Sequence, residues 1–253
     1  MNKTLLLIGF CTLNAPVQAI TNIEFVRDQS SGKDFYAQIE ASLDGESGNQ
    51  NTDTLGTSVS LAWDDNGSHF ITVLDHLWRK DTGNVEVNQS FAHIRYTKEV
   101  KNDSGNHLEF FVQGQRDRFR NIESRVLMGA GYRKTLFNEY NNRFNAFGLG
   151  AFFESEESVD SFLSDDHKQW RLSAYWHHKQ PINETIRVEN VIYLQPSLAD
   201  VSEFRLHDEI RITAEVTKSL SYGFNATYSY NSDPIGDVKR YDMTYGSFLQ
   251  YSF

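Results

Sequence analysis

Polar side chains, with charges of both signs among them, occupy every second position of residues 205–215, where Arg205, His207, Glu209, Arg211, Thr213 and Glu215 alternate with Leu206, Asp208, Ile210, Ile212 and Ala214. In an extended chain successive side chains point to opposite faces, so this spacing collects Arg, His and Glu on one surface and most apolar groups on the other. The same parity in other segments adds Glu40, Glu109, Gln113, Arg125, Arg133, Arg171, His177, Arg187, Glu189, Arg240 and Asp242 to the polar surface. An ion-selective ladder is dominated by one sign, whereas interleaved arginines and glutamates pair with each other through charge-assisted hydrogen bonds. These residues are compatible with a narrow water path and equally with a filled interior.

The densest charge cluster is Arg116, Arg118, Arg120 and Arg125 around Asp117 and Glu123. Planar guanidinium groups at an extracellular rim would clamp lipopolysaccharide phosphates or an anionic solute; the interleaved acids point equally to a salt-bridge network that fixes a loop. Glu154, Glu156, Glu157, Asp160, Asp165 and Asp166 form an acidic stretch without the Asp-x-Asp-x-Asp-Gly spacing of a calcium loop, so a solvated external loop is expected and no metal site. Hydrolysis would need a serine activated by a histidine, and the candidates are His93, His177, His178 and His207 with Ser90 and Ser173. On a strand Ser173 and His177 lie about 13 Å apart, too far for proton transfer, and G-x-S-x-G and H-E-x-x-H motifs are absent. No enzyme, catalytic residue or cofactor is therefore expected, and the histidines read as lumenal or interfacial polar groups.

Such surfaces need strands to carry them. Alternating segments at 35–43, 55–63, 69–78, 87–96, 107–115, 125–136, 144–154, 169–179, 186–195, 205–216, 221–230 and 239–253 are separated by turn-rich clusters such as Asp64-Asp65-Asn66-Gly67 and Asp81-Thr82-Gly83-Asn84. The expectation is an all-β chain forming a single antiparallel transmembrane β-barrel of about 12 strands, with 10 as the alternative count, since about 9–11 tilted residues cross an outer membrane. A soluble sandwich also alternates and is the structural competitor. Aromatic residues near segment ends, and connections that alternate between tight turns and longer loops, favour the barrel with both termini on the periplasmic side.

Both ends of the chain agree. Lys3, an apolar run at 5–11 and Val17-Gln18-Ala19 read as a secretory signal peptide, residues 1–19, cleaved to leave a barrel domain at 20–253 without a cysteine. At the other end Tyr245, Leu249, Tyr251 and Phe253 alternate with Thr244, Gly246, Gln250 and Ser252, Phe248 being the exception. The terminal strand resembles the insertion signal of bacterial outer-membrane barrels, carried here by Gly246, Leu249, Tyr251 and Phe253, with the barrel-assembly machinery as its partner. Outer-membrane lipids and lipopolysaccharide are the other expected partners. A net charge of −10 argues against nucleic acid, and no apolar run after residue 19 approaches the roughly 20 residues of a transmembrane helix.

Residues 115–125 (QRDRFRNIESR), Gly129-Ala130-Gly131-Tyr132-Arg133, Glu154-Ser155-Glu156, Arg171-Leu172-Ser173, Tyr193-Leu194-Gln195-Pro196, Ser202-Glu203-Phe204-Arg205 and Tyr230-Asn231-Ser232-Asp233-Pro234 follow in an order that resembles domain-of-unknown-function family 481, the salt-induced outer-membrane proteins. The family more often has Asp at the positions of Asn231 and Glu203. The resemblance implies an outer-membrane barrel with a link to salt or acid stress, and brings no catalytic residues. Three functions follow from the sequence: a passive channel for small solutes or ions, a closed stress-related barrel, and a lipid hydrolase. Gly129, Gly131, Gly148 and Gly150 lean towards the channel by leaving room along neighbouring strands, although close strand packing explains them as well.

Overall fold

The computed structural model describes residues 23–30, 34–46, 52–65, 67–81, 84–100, 105–118, 122–138, 143–159, 167–234 and 239–252. Residues 1–19, expected to be a signal peptide, and Arg120, Asp160, Asp165, Asp166 and Phe253 lie outside the described residues. One short helix, α1 (Glu24–Ser30), precedes twelve strands: β1 (Phe35–Glu46), β2 (Thr52–Asp65), β3 (Ser68–Asp81), β4 (Asn84–Glu99), β5 (Asn106–Asp117), β6 (Ile122–Asn138), β7 (Arg143–Ser158), β8 (His167–Pro181), β9 (Ile186–Pro196), β10 (Phe204–Glu215), β11 (Leu220–Asn231) and β12 (Tyr241–Ser252). Each strand pairs antiparallel with its sequence neighbours, and β1 pairs with β12 to close the barrel. The closing seam is short, pairing Gln38 with Ser252 and Ile39 with Tyr251, and joins the two end strands of the sheet.

The twelve alternating segments of the sequence are these twelve strands, most of them extended by a few residues at one or both ends. Extension matters at β7, which runs to Ser158 and so takes Glu154 and Glu156 out of the expected external loop. It fails at the start of β12, where Arg240 precedes the strand and is exposed, not lumenal. Connections depart from strict alternation too, because β3 and β4 are joined across residues 82–83, as tightly as β2 and β3 across 66–67. Gly67 takes the left-handed φ of 73° that this second turn requires.

Side-chain parity divides the wall into two surfaces. Outward positions form an apolar band that includes Phe110, Val112, Met128 and Leu149, the last 63% exposed. Aromatic pairs edge it, with Trp63 stacked on Phe70 at 4.1 Å and Phe153 against Trp170 at 5.6 Å. An exposed apolar surface of this extent is costly in water and marks contact with another phase or partner. In β12, Tyr245, Leu249 and Tyr251 are exposed on the outer surface, while Gly246, Phe248 and Gln250 are buried inside, so Phe248 belongs to the lumen.

The interior is not open along β6 and β7. A Cβ on Gly148 would sit 1.9 Å from Cε1 of Tyr175, and one on Gly129 would sit 2.6 Å from Cζ of Phe111. A Cβ on Gly150 would sit 2.4 Å from the Ala130 carbonyl oxygen. The space these glycines leave is therefore occupied by inward-pointing rings and by close strand approach. Gly148→Ala is expected to displace Tyr175 and destabilise the barrel by about 1–3 kcal/mol, the usual cost of overpacking. Gly114→Ala, with nothing within 4 Å of its Cβ, is expected to stay within about 0.5 kcal/mol. Urea unfolding of the protein refolded in lipid vesicles measures both.

Candidate functional site

The lumen holds α1. Ile23, Phe25 and Val26 are buried, Phe25 with Phe111, Leu127, Phe152, Tyr175, Val191 and Tyr193, and the other two with Tyr36, Ala62, Ile71, Val73 and Phe91. A seven-residue helix is too short to persist by itself, so its fold depends on this packing. Glu24 in its first turn and Arg27 in its last complement the helix dipole.

Polar contacts fix the helix to the wall. The fully buried Glu24 carboxylate accepts from Arg133 Nη1 at 2.7 Å, and its Oε2 lies 3.2 Å from His177 Nδ1. Arg27 Nη2 donates to Glu109 Oε1 at 2.7 Å, and the Tyr175 hydroxyl donates to Glu109 Oε2 at 2.7 Å. Tyr175 in turn accepts from Arg133 Nη1 at 2.9 Å, and Arg95 stands 3.6 Å from Glu109. Further contacts are Ser30 Oγ with His69 Nε2 at 3.0 Å, and the Arg211 guanidinium 5.0 Å over the Phe25 ring. Burial alone would raise the Glu24 pKa, but Arg133, Arg27 and the His177 hydrogen bond hold it well below the ordinary carboxylate range. Between the helix and its mouth of the barrel lies a cleft of about 250 Å³ lined by Glu24, Arg27, His69, Glu99, His107 and His177 among others.

A second charged layer crosses the opposite end of the lumen. Arg125 pairs with Glu156 at 2.6 Å, Arg205 with Glu154 and Glu156, and Arg171 with Glu154 at 3.5 Å and with Glu203. Arg171 also donates to the Gln195 carbonyl at 3.2 Å. The remaining lumenal candidates meet locally: Arg187 lies 3.4 Å from Glu189 and 3.1 Å from Glu215, His207 3.7 Å from Glu209, and Arg211 3.6 Å from Glu40. Burial of Arg125, Arg171, Glu154 and Glu156 is tolerable because each has an opposite partner.

The structure thus brings Glu109 and Arg133 together around α1, and Arg125 and Arg171 together at the far end. It splits the arginine cluster. Arg116 and Arg118 share Glu123 on the exposed outer rim, whereas Arg125 points inward. Glu154 and Glu156, expected in a solvated loop, are buried ligands of lumenal arginines because β7 continues through them; counting every second residue from Phe152 finds them. Sequence reasoning also missed Glu24, Arg27 and Arg95, and no period-two signal marks the helix. Of the histidine candidates, His93 hydrogen-bonds Gln113 at 3.1 Å inside, His177 meets Glu24, His207 meets Glu209, and His178 meets Asn145 at 3.0 Å.

A depressed carboxylate pKa stabilises docking of α1 in full above about pH 5, just over the ordinary glutamate value of about 4.3. That contribution is lost only as pH falls through the lower, docked-state value. Hydrogen exchange of residues 23–30, corrected for intrinsic rates, is expected to stay protected at pH 4. Glu24→Ala removes one partner of a buried pair, a change worth about 3–5 kcal/mol, and is expected to lower that protection at least a hundredfold at pH 7. Protection unchanged in this variant would refute the docking role of Glu24.

Two solved structures share the architecture. The translocator domain of autotransporter NalP from Neisseria meningitidis superposes with TM-score 0.51 at 12% identity, covering 91% of this chain and 93% of that one. The NanC porin superposes with TM-score 0.51 at 8% identity, covering 86% and 98%. At these identities the likeness is one of fold: a closed barrel similar to bacterial outer-membrane barrels. No curated protein matches the sequence. Residues 39–253 match a family model, and the chain therefore belongs to the family described as protein of unknown function, DUF481.

Proposed function

We propose that this protein is an integral outer-membrane barrel closed at rest by its own N-terminal helix, so that the lumen is sealed instead of passively conducting. The observation that carries this reading is α1 itself, with Glu24 fully buried on Arg133 and Arg27 bonded to Glu109 across the lumen. The Arg and Glu layer of Arg125, Glu154, Arg171 and Arg205 at the far end supports it, since paired charges fill space without forming a ladder of one sign. The apolar outer band and its aromatic edges support a bilayer location, reached after removal of residues 1–19 and recognition of the β12 signal by the assembly machinery.

Planar-bilayer recording tests the closed state. The intact mature chain is expected to give no stable single-channel steps, and Arg27→Ala combined with Glu24→Ala is expected to give intermittent ones by freeing the helix. Steady conductance from the intact chain, shown to be folded by a change in gel mobility on boiling, would establish a passive channel and refute the closed reading.

A further inference from the structure

His76 and Ser90 stand on the outer wall. Both are exposed, their residues are direct partners in the β3–β4 register, and His76 Nδ1 lies 3.1 Å from Ser90 Oγ. The outward neighbours two residues away include Leu74, 49% exposed, and Ala92, so this polar pair borders the apolar band. Arg116 is the direct partner of Ser90 on β5 and also points outward. It and Arg118 share the single carboxylate of Glu123, which leaves this group one positive charge in excess. His76, Ser90 and Arg116 thus lie in one row across β3, β4 and β5, with the Arg116 guanidinium hydrogen-bonded to Glu123 beside that row.

We propose that Ser90 and His76 form a nucleophile–base pair that cleaves carboxylic esters of membrane lipids at the outer wall. With the ring proton on Nε2, the Ser90 hydroxyl donates to Nδ1, the geometry that activates a serine. Ser90 Oγ bonds to the ester carbonyl carbon while its proton passes to His76. Directly opposed residues have Cβ atoms about 4.5–5.5 Å apart, so the Arg116 side chain reaches the oxyanion that develops by turning from Glu123, which it holds in this structure. The bond from the carbonyl carbon to the alcohol oxygen then breaks, and His76 returns the proton to the leaving alkoxide. Water, deprotonated by His76, attacks the acyl-serine, releasing a fatty acid and restoring Ser90. The pair was invisible in sequence because its members are separated by a strand turn and only the register brings them together.

The proposal shares with the closed-barrel reading only the lipid-facing wall, so conductance and ester cleavage fail separately. The full mature chain is reacted with a fluorophosphonate in detergent micelles and assayed for fatty-acid release from phosphatidylethanolamine–phosphatidylglycerol vesicles. Labelling at Ser90 and fatty-acid release are expected, both abolished in Ser90→Ala and slowed at least about a hundredfold in His76→Gln. Both side chains face outward, so the variants are expected to keep the gel migration of the folded barrel. Release that persists in Ser90→Ala, or the absence of labelling or release from wild-type protein with folded migration, overturns the proposal.

Discussion

Closure of the strand cylinder is the constraint on which everything else here depends. Pairing of β1 with β12 joins the ends of the sheet into a tube, the arrangement by which a strand wall can stand in hydrocarbon. Closure also turns a local property, the period of two, into a global one. Every odd or even choice along a strand becomes a choice between the inside and the outside of a tube, and a single register slip would exchange the two surfaces. The outward band of Phe110, Val112, Met128 and Leu149 and the inward set of Glu109, Arg125, Arg133 and Arg171 are two readings of one arrangement.

A tube of twelve strands has more interior than its wall side chains fill by themselves. This protein closes the gap in three ways. Rings from Phe111, Phe152, Tyr175 and Tyr193 occupy the centre, aided by glycines that let Tyr175 and Phe111 approach the wall. Arginine–glutamate layers cross one end. A helix of seven residues enters the other, supplying both apolar volume and a carboxylate. Each element needs the others: the helix has no stability of its own, and Arg133 and Glu109 would be buried charges short of partners without Glu24 and Arg27.

The outer wall presents a different balance. Most of its residues are apolar, yet His76, Ser90 and Arg116 align across neighbouring strands at the border of that band. Polar side chains at such a level are costly where lipid tails reach them, and hydrogen bonding to one another offsets part of that cost. The interior and exterior polar groups are thus held by different interactions, the first by mutual neutralisation in a closed space and the second by the hydrogen bond between His76 and Ser90.

The sequence alone located the strands, the facing of most of their residues and the terminal strand, and left their number at about 12 or 10, because alternation is a property of neighbouring residues and survives without knowledge of the rest of the chain. It also placed Glu109, Arg133, Arg171 and Glu189 on the polar face by counting. It could not draw Glu154 and Glu156 out of an acidic loop, because that assignment turns on where a strand ends. Tertiary structure decided what occupies the lumen. Glu24 meets His177 across 153 residues, and His76 meets Ser90 across a turn. Such contacts depend on closure and register, which arise only when the whole cylinder forms.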